Sequence, residues 1–348
     1  MLKIKIYDIT RHRNETTFRP YIQARHLFWD IGVRFMFEGD DFDMEWMGQA
    51  SFSRKDVSLE ESIQYGTRQI NKRIQDKVVL FDGQDSASLI GTGDFSNHPK
   101  VHCLKKNTLY KDKDDYLKST PHGRTYWKRI LPDWPDIDYS IPEVDFSKVH
   151  LSGTNWLSTV TPNWFDLNKL EKDIDVFAVF SYPSKDNYEF QRITNGYYDQ
   201  HRKKCINQLN ALPKSLKVVT LPPDGKHFAI EEYYALMKRS KIIIAPFGYG
   251  EIAPRDLESA MVGAVLIKPN MDHIETTPNI YKAGKTFVNC QWDFSDLHEC
   301  IESVLGEWKE NQAYFVNNMR NEYAEHYDPI KLVEYTHDWI SKIEGYGI

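Results

Sequence analysis

The stretch from Ile242 to Pro269, IIIAPFGYGEIAPRDLESAMVGAVLIKP, predicts a strand, a glycine-rich turn, a short helix and a second strand. The apolar runs at its two ends are typical of buried strands in a parallel sheet. Pro254 suits the first position of the helix, where a backbone N–H would lack a partner. Arg255 and Glu258 follow it, where the first strand passes into the helix. Packing requires neither charge, so both residues are candidates for a binding site.

The start of this helix has the chemistry of a phosphate site. Free N–H groups and a partial positive charge favour anions there. The guanidinium of Arg255 offers two parallel donors to phosphate oxygens. Glu258, three residues further along the same face, can accept hydrogen bonds from a vicinal diol such as that of ribose. The alternative is a surface ion pair between Arg255 and Glu258, which would contribute at most about 1 kcal/mol to stability.

Most of the remaining chain also alternates between strand-like and helix-like segments, which predicts an α/β fold with mostly parallel sheets. One series of segments occupies residues 1–150 and a second occupies residues 165–328. Before the second series, LPDWPDIDYSIPEV carries three prolines and is typical of a linker. The mixed-charge run KKNTLYKDKDDYLK, residues 105–118, is predicted to be a solvated loop.

Composition argues against several classes of function. The 348 residues carry a net charge of -6, whereas a general nucleic-acid-binding protein presents a basic surface. The sequence has no run of 18 apolar residues, so no membrane span is predicted. The four cysteines show neither a C-x-x-C pair nor the spacing of a zinc site. We therefore expect free thiols and a cytoplasmic location.

The segment KIIIAPFGYGEIAPRDLESAMVGAVLIKP resembles the donor-binding segment of GT-B glycosyltransferases of the exostosin-like and group-1 kind. In those enzymes a strand and a glycine-rich loop precede a helix that starts with R-x-x-E or a similar pattern, as Arg255 to Glu258 does here. The sequence ESAMVG is similar to their EAMACG. The resemblance covers about residues 174–300 well. It implies two Rossmann-like, doubly wound domains that face each other across a cleft, with the final helix in 329–348 joining the first domain.

By this resemblance, the protein is expected to move a sugar from a nucleoside diphosphate sugar to a hydroxyl of a glycan acceptor. Arg255 would bind the diphosphate, and Glu258 would bind the ribose. The segment YYDQHRKKCINQL is similar to a helix of α-1,3-fucosyltransferase-like enzymes whose arginine, here Arg202, meets the phosphates, which favours GDP over UDP. Arg202 can instead belong to a solvated basic face of that helix. The expected donor-binding residues are Arg202, Gly248, Tyr249, Gly250, Glu251, Arg255 and Glu258.

The same resemblance bears on stereochemistry and on metal use. Retaining enzymes of this kind carry two glutamates eight positions apart, whereas this chain has Gly250 at that position and Glu251 only seven before Glu258. The enzyme is therefore expected to invert the anomeric configuration. D-x-D triplets, which bind a divalent ion in the GT-A fold, occur four times, as chance predicts for an Asp-rich chain. We expect no metal and no other cofactor.

An inverting transferase needs a base that deprotonates the acceptor hydroxyl. The N-terminal domain is expected to bind the acceptor, and its candidate bases follow predicted strands. Asp82 and Asp85 lie in LFDGQDS, and His12 lies in TRHRNETTFRP, which is predicted to be a polar loop facing the cleft. Asp8 also follows the first strand. Each of these residues can instead be a helix cap or a turn residue.

Two other functions fit parts of the sequence. Residues 248–253 match the G-x-G-x-x-A fingerprint of NAD(P)-dependent oxidoreductases, although the next strand ends in Lys268-Pro269 and not in the acidic residue that binds ribose. A non-catalytic protein that binds a nucleotide or a sugar is the second alternative.

Overall fold

The computed structural model describes residues 1–10, 12–53, 57–83, 86–117, 143–152, 165–166, 171–180, 197–221, 227–248, 250–277, 279–326 and 328–344. The strands are β1 (Leu2–Tyr7), β2 (Val33–Met36), β3 (Met44–Gly48), β4 (Val78–Asp82), β5 (Val101–Lys106), β6 (Thr108–Tyr110), β7 (Val149–Leu151), β8 (Ile174–Ala178), β9 (Val218–Thr220), β10 (Ser240–Ile244), β11 (Val265–Pro269), β12 (Ile274–Thr276) and β13 (Val288–Cys290). The helices are α1 (His12–Gln23), α2 (Arg25–Asp30), α3 (Gln49–Phe52), α4 (Leu59–Asn71), α5 (Tyr197–Asn210), α6 (Ile230–Lys238), α7 (Pro254–Val262), α8 (Leu297–Gly306), α9 (Trp308–Asn311), α10 (Asn317–His326) and α11 (Pro329–Glu344).

The first sheet has six strands in the order β2-β1-β3-β4-β5-β7, and every pair is parallel. Strands β3 and β4 are buried along their whole length, as expected for a parallel sheet that is covered on both faces. The chain places β2 on one side of β1 and β3 on the other. The strand order therefore reverses between β1 and β3, which is the topological switch point of this sheet.

The second sheet has five parallel strands in the order β13-β11-β10-β8-β9. Its switch point lies between β8 and β10, because the chain adds β9 on one side of β8 and β10 on the other. Ligands of open α/β sheets bind outside the carboxyl ends of the strands at such a point. The predicted α/β fold with two doubly wound, Rossmann-like sheets is confirmed.

A small antiparallel sheet of β6 and β12 joins the two halves of the chain, with Ile274 paired to Tyr110. The predicted solvated loop at residues 105–118 is therefore wrong over its first part. Thr108 and Tyr110 are buried, and Lys106 is buried in an ion pair with Asp82. Burial of these side chains against elements distant in sequence outweighs the polar composition of the segment.

The N-terminal segment that was predicted to be a polar loop forms helix α1, which begins at His12. Phe18 and Tyr21 are fully buried and lie three residues apart, so they share one face of the helix. Their rings pack edge-on against Phe81 of β4. This aromatic packing stabilises the segment as a helix. The polar residues around Phe18 in the sequence gave no indication of it.

Helix α11 packs against the first sheet. The ring of its Trp339 lies 5.4 Å from that of Trp46 on β3, centroid to centroid. The hydroxyl of Tyr335 donates to the carbonyl oxygen of Leu151 at 2.7 Å. The last helix thus shares a core with strands from the beginning of the chain.

The expectations drawn from composition concern cysteines and membrane spans. All four cysteines are free thiols, and three of them are buried. Among the helices that the structure describes, none combines the length and the apolar character needed to cross a membrane.

Candidate functional site

The switch point of the second sheet carries Arg255, the second residue of α7. Its Nη2 donates to the carbonyl oxygen of Val179, the residue directly after β8, at 3.0 Å. Its Nε–H is buried and has no hydrogen-bond partner among the described residues. The sequence therefore folds so that the start of α7 and an arginine lie together at the carboxyl ends of β8 and β10, where a ligand is expected.

Helix α5 fixes the backbone just after β10 with two consecutive side chains. Nε of Arg202 donates to the carbonyl oxygen of Phe247 at 3.0 Å, and Nε2 of His201 accepts from the Phe247 N–H at 3.1 Å. Burial, followed by the charge of Arg202, holds the pKa of His201 well below its ordinary value, so its ring is neutral and able to accept. Arg202 is buried, so it does not belong to a solvated helix face.

The two arginines converge on one aromatic ring. The guanidinium carbons of Arg202 and Arg255 lie 5.5 Å and 6.0 Å from the ring centroid of Phe180, two residues after β8. Both charges act on the nearby thiol of Cys205, whose pKa is nevertheless raised by burial. The site therefore combines two positive side chains with the N-terminus of α7, an arrangement suited to a phosphate or diphosphate.

Glu258 lies one turn further along α7 and is held by two tyrosines of α6. Its Oε1 accepts from the hydroxyl of Tyr234 at 2.8 Å, and its Oε2 accepts from that of Tyr233 at 3.2 Å. Burial raises the pKa of both tyrosines, that of Tyr233 to about 12, so both hydroxyls are protonated donors at neutral pH. The described contacts of Arg255 and Glu258 are thus made with other groups, and not in the surface ion pair that the sequence also allowed.

The start of α7 is anchored by Asp256, a residue that the sequence analysis missed. Its Oδ2 accepts from the N–H of Ala253 at 3.1 Å and from the hydroxyl of Tyr281 at 2.7 Å. Lys268, at the end of β11, lies 3.2 Å from the same oxygen, and both charged side chains are fully buried. The signal was present as an acidic residue in the first helical turn and a lysine inside an apolar strand. At the other end of α7, Gly263 has a φ of 70°, which favours glycine.

Glu251, predicted to bind the donor, lies where the two halves of the chain meet. Its side chain is fully buried, and Oε2 accepts from the N–H of Ala87 at 3.3 Å. Nε2 of His273 lies 3.9 Å from Oε1. Before it, the N–H of Gly248 donates to the carbonyl oxygen of Gly250 at 2.9 Å. Tyr249 lies outside the described residues.

The candidate bases of the first half have different surroundings. Asp82 is buried at the end of β4, where its Oδ2 accepts from Thr92 at 2.6 Å and from Lys106 at 3.0 Å. His12 begins α1, but its side chain is not among those described, and Asp85 lies outside the described residues. Asp8 follows β1 with a φ of 50°, in the left-handed region that is unfavourable for most side chains. The structure therefore places Asp82 in an ion pair and leaves the base a prediction.

Comparisons with known proteins give a likeness of fold. No protein-family model and no curated protein sequence matches the chain. An α-glucosyltransferase in complex with UDP is similar at 10% identity and a TM-score of 0.49, over 98% of this chain and 100% of that one. HepE from Anabaena, in complex with UDP-glucose, is similar at 10% identity and a TM-score of 0.48, over 98% of this chain and 100% of that one. WaaG, a glycosyltransferase involved in lipopolysaccharide biosynthesis, is similar at 14% identity and a TM-score of 0.48, over 99% of this chain and 100% of that one.

Proposed function

We propose that the protein is a glycosyltransferase that moves a sugar from a nucleoside diphosphate sugar to a hydroxyl of a glycan acceptor. The observation that carries this proposal is the convergence of Arg202, Arg255 and the N-terminus of α7 at the switch point between β8 and β10. Two guanidinium groups and the partial positive charge of the helix N-terminus match the oxygens of a diphosphate. The unused Nε–H of Arg255 is a further donor for that ligand.

Glu258 is the proposed partner of the ribose. The tyrosine hydroxyls fix the orientation of its carboxylate, and each oxygen keeps a further lone pair that can accept from a sugar hydroxyl. Because the diphosphate would lie at the start of α7 and Glu258 lies one turn later, the ribose would extend along this helix towards α6. The nucleobase would then lie on the α6 side of the site.

In the proposed reaction, the acceptor hydroxyl oxygen attacks the anomeric carbon while the bond from that carbon to the diphosphate oxygen breaks. The two arginines stabilise the charge that grows on the leaving diphosphate, so no metal ion is required. The proton of the acceptor hydroxyl passes to a base in the first half of the chain, for which Asp82, Asp85 and His12 are the candidates. The spacing of Glu251 and Glu258 supports inversion, which the anomeric configuration of the product would reveal.

We propose that the protein prefers GDP to UDP, because α5 resembles the arginine-bearing helix of fucosyltransferase-like enzymes. The test is a thermal-shift panel of GDP, UDP, NAD and NADP in the presence of EDTA. We expect GDP, or failing that UDP, to stabilise the protein by about 2.7 kcal/mol at 100 times its Kd. Stabilisation only by NAD or NADP would favour the oxidoreductase instead, and stabilisation that requires Mg²⁺ or Mn²⁺ would contradict the metal-free site. Donor hydrolysis would separate an enzyme from a non-catalytic binding protein.

A further inference from the structure

A second concave site lies at the ends of other strands of the same sheet. A cavity of about 680 Å³ opens at the carboxyl ends of β11 and β13, with Asn270 directly after the first of these strands and Gln291 directly after the second. Its opposite wall comes from the first half of the chain, where Lys111 and Asp112 follow β6. The N–H of Lys111 donates to the carbonyl oxygen of His273 at 3.1 Å, which ties the two walls together. The volume is typical of a site for a small molecule.

Two buried rings pack together behind the cavity lining, since the side chain of His273 is 3% exposed and Trp292 is 9% exposed. The rings of His273 and Trp292 meet nearly edge to face, with centroids 4.9 Å apart and an interplanar angle of 67°. The indole N–H donates to the carbonyl oxygen of Asn270 at 2.8 Å, so the indole is held in place. The buried rings form a rigid wall behind the cavity, so a ligand would be held by the polar groups of the lining.

The polar lining has the opposite charge from the arginine site. Among the described residues it contains four carboxylates but a single lysine, Lys111, which gives this part of the lining a negative charge at neutral pH. The carboxylates are those of Asp112, Asp115, Asp272 and Asp293. They accept hydrogen bonds from hydroxyl or ammonium groups, and they repel phosphate, sulfate and carboxylate groups. The cavity chemistry therefore suits a polyol that is uncharged or carries an amine, and it opposes the diphosphate of a nucleotide.

We propose that this cavity binds a sugar residue, uncharged or amine-bearing, of the acceptor glycan; its assignment to the acceptor rests on the proposed function. Phe247 connects it to the donor site. The ring of Phe247 lies 6.3 Å from that of Trp292, while the backbone of Phe247 is held by Arg202. Phe247 therefore links the cavity to the proposed donor site. The acceptor would contact the second half of the chain as well as the first.

The test is an array of neutral, amine-bearing and acidic oligosaccharides, probed with the intact protein in the presence and absence of GDP and UDP, followed by calorimetry on the glycans that bind. Asp112 and Asp272 are exposed on loops, so their replacement by Asn leaves the core intact. We expect neutral or amine-bearing glycans to bind and the double variant Asp112→Asn/Asp272→Asn to bind them at least tenfold more weakly, with unchanged nucleotide affinity. Asp114→Asn, an exposed neighbour outside the cavity lining, is the matched control and should bind like the wild type.

Three results would overturn this inference: binding of acidic glycans only, glycan affinity unchanged in the double variant, or no glycan binding by a protein that binds a nucleoside diphosphate. The last result would leave the proposed donor site standing. Glycan binding that depends on Asp112 and Asp272, in a protein that binds neither GDP nor UDP, would instead overturn the transferase and leave the cavity as a glycan site. The two proposals therefore fail separately.

Discussion

Arg255 is the residue on which the proposed chemistry depends most, because it lies in the first turn of α7, where the leaving diphosphate of the proposed reaction would gain charge. Arg255→Ala should lower kcat roughly 100-fold and also raise the KM of the donor. Arg255→Lys should recover only part of this loss, since an ammonium group cannot offer the two parallel N–H donors with which a guanidinium binds phosphate oxygens. Steady-state kinetics are the measurement, and Arg239→Ala is the control because Arg239 pairs with Asp173 at the surface. Normal turnover in Arg255→Ala would end the donor-site hypothesis.

Glu258 should affect the enzyme in a different way. The ribose does not change during the reaction, so Glu258→Gln should act mainly on the KM of the donor, by roughly 1.5–3 kcal/mol for a hydrogen bond to a charged group. Tyr234→Phe should give a smaller change in the same direction, because it removes one donor that orients the carboxylate. Comparison of KM and kcat for both variants checks this. A fall in kcat as large as that of Arg255→Ala would assign Glu258 to the reacting centre instead.

The charged residues of the candidate site were predictable one by one, but their contacts were not. The order of strand, turn and helix placed Arg255 and Glu258 at the carboxyl edge of a sheet, where the structure has them. The pair of Asp256 and Lys268 was missed, because a charge inside an apolar strand shows its partner only after folding. The contact of Glu251 with Ala87 was equally hidden, since it spans 164 positions of the chain.

Helix α11 covers a buried lysine of the first sheet, and we expect the contribution of this lysine to stability to depend on pH. Lys105 of β5 is 1% exposed, and its amino group lies 4.3 Å from the ring centroid of Trp339. Burial lowers its pKa from 10.5 to about 8, with Cys103 and Asp338 acting in the opposite direction. Between these two pKa values Lys105 binds more protons in the unfolded chain than in the folded one, so its own contribution to stability should rise by about 3 kcal/mol from pH 8 to 10.5.

Lys105→Met removes the titrating group and keeps the apolar stem. The difference in unfolding free energy between wild type and Lys105→Met, from urea titrations at pH 7.5 to 10.5, isolates this one lysine from Cys103, whose pKa burial raises to about 11. We expect the variant to be the more stable protein at pH 7.5 and to lose that advantage as pH rises. A difference that stays constant over this range would show that Lys105 is charged equally in both states.

At the scale of elements, the sequence predicted well where one face of an element decides its structure. The strands β10 and β11 and the first turn of α7 were predicted correctly for this reason. The segments around α1 and β6 were misassigned, because their burial depends on partners far along the chain. Phe18 packs on Phe81 of β4, and β6 pairs with β12 across more than 160 residues.

At the scale of the whole molecule, the two sheets are linked by more than a covalent connection. One continuous cluster of buried apolar side chains includes Leu80 of β4 and Ile243 of β10. The pair β6–β12 and the hydrogen bond from Ala87 to Glu251 add contacts across the same boundary. Since each half contributes to a core that the other completes, neither is expected to unfold alone.

This linkage predicts a single thermal transition, which a bound nucleoside diphosphate shifts as a whole. All the proposed nucleotide contacts lie in the second half of the chain, so independent halves would show two transitions with only one of them shifted. Far-UV circular dichroism and tryptophan fluorescence should therefore agree on a single Tm for the wild type. GDP or UDP should raise that Tm, and the two methods should still agree. Ile274→Asp places a charge in the buried side of β12 and should separate the transitions, whereas Glu275→Ala, exposed on the same strand, should not. Two transitions already present in the wild type would show that the shared core does not couple the halves.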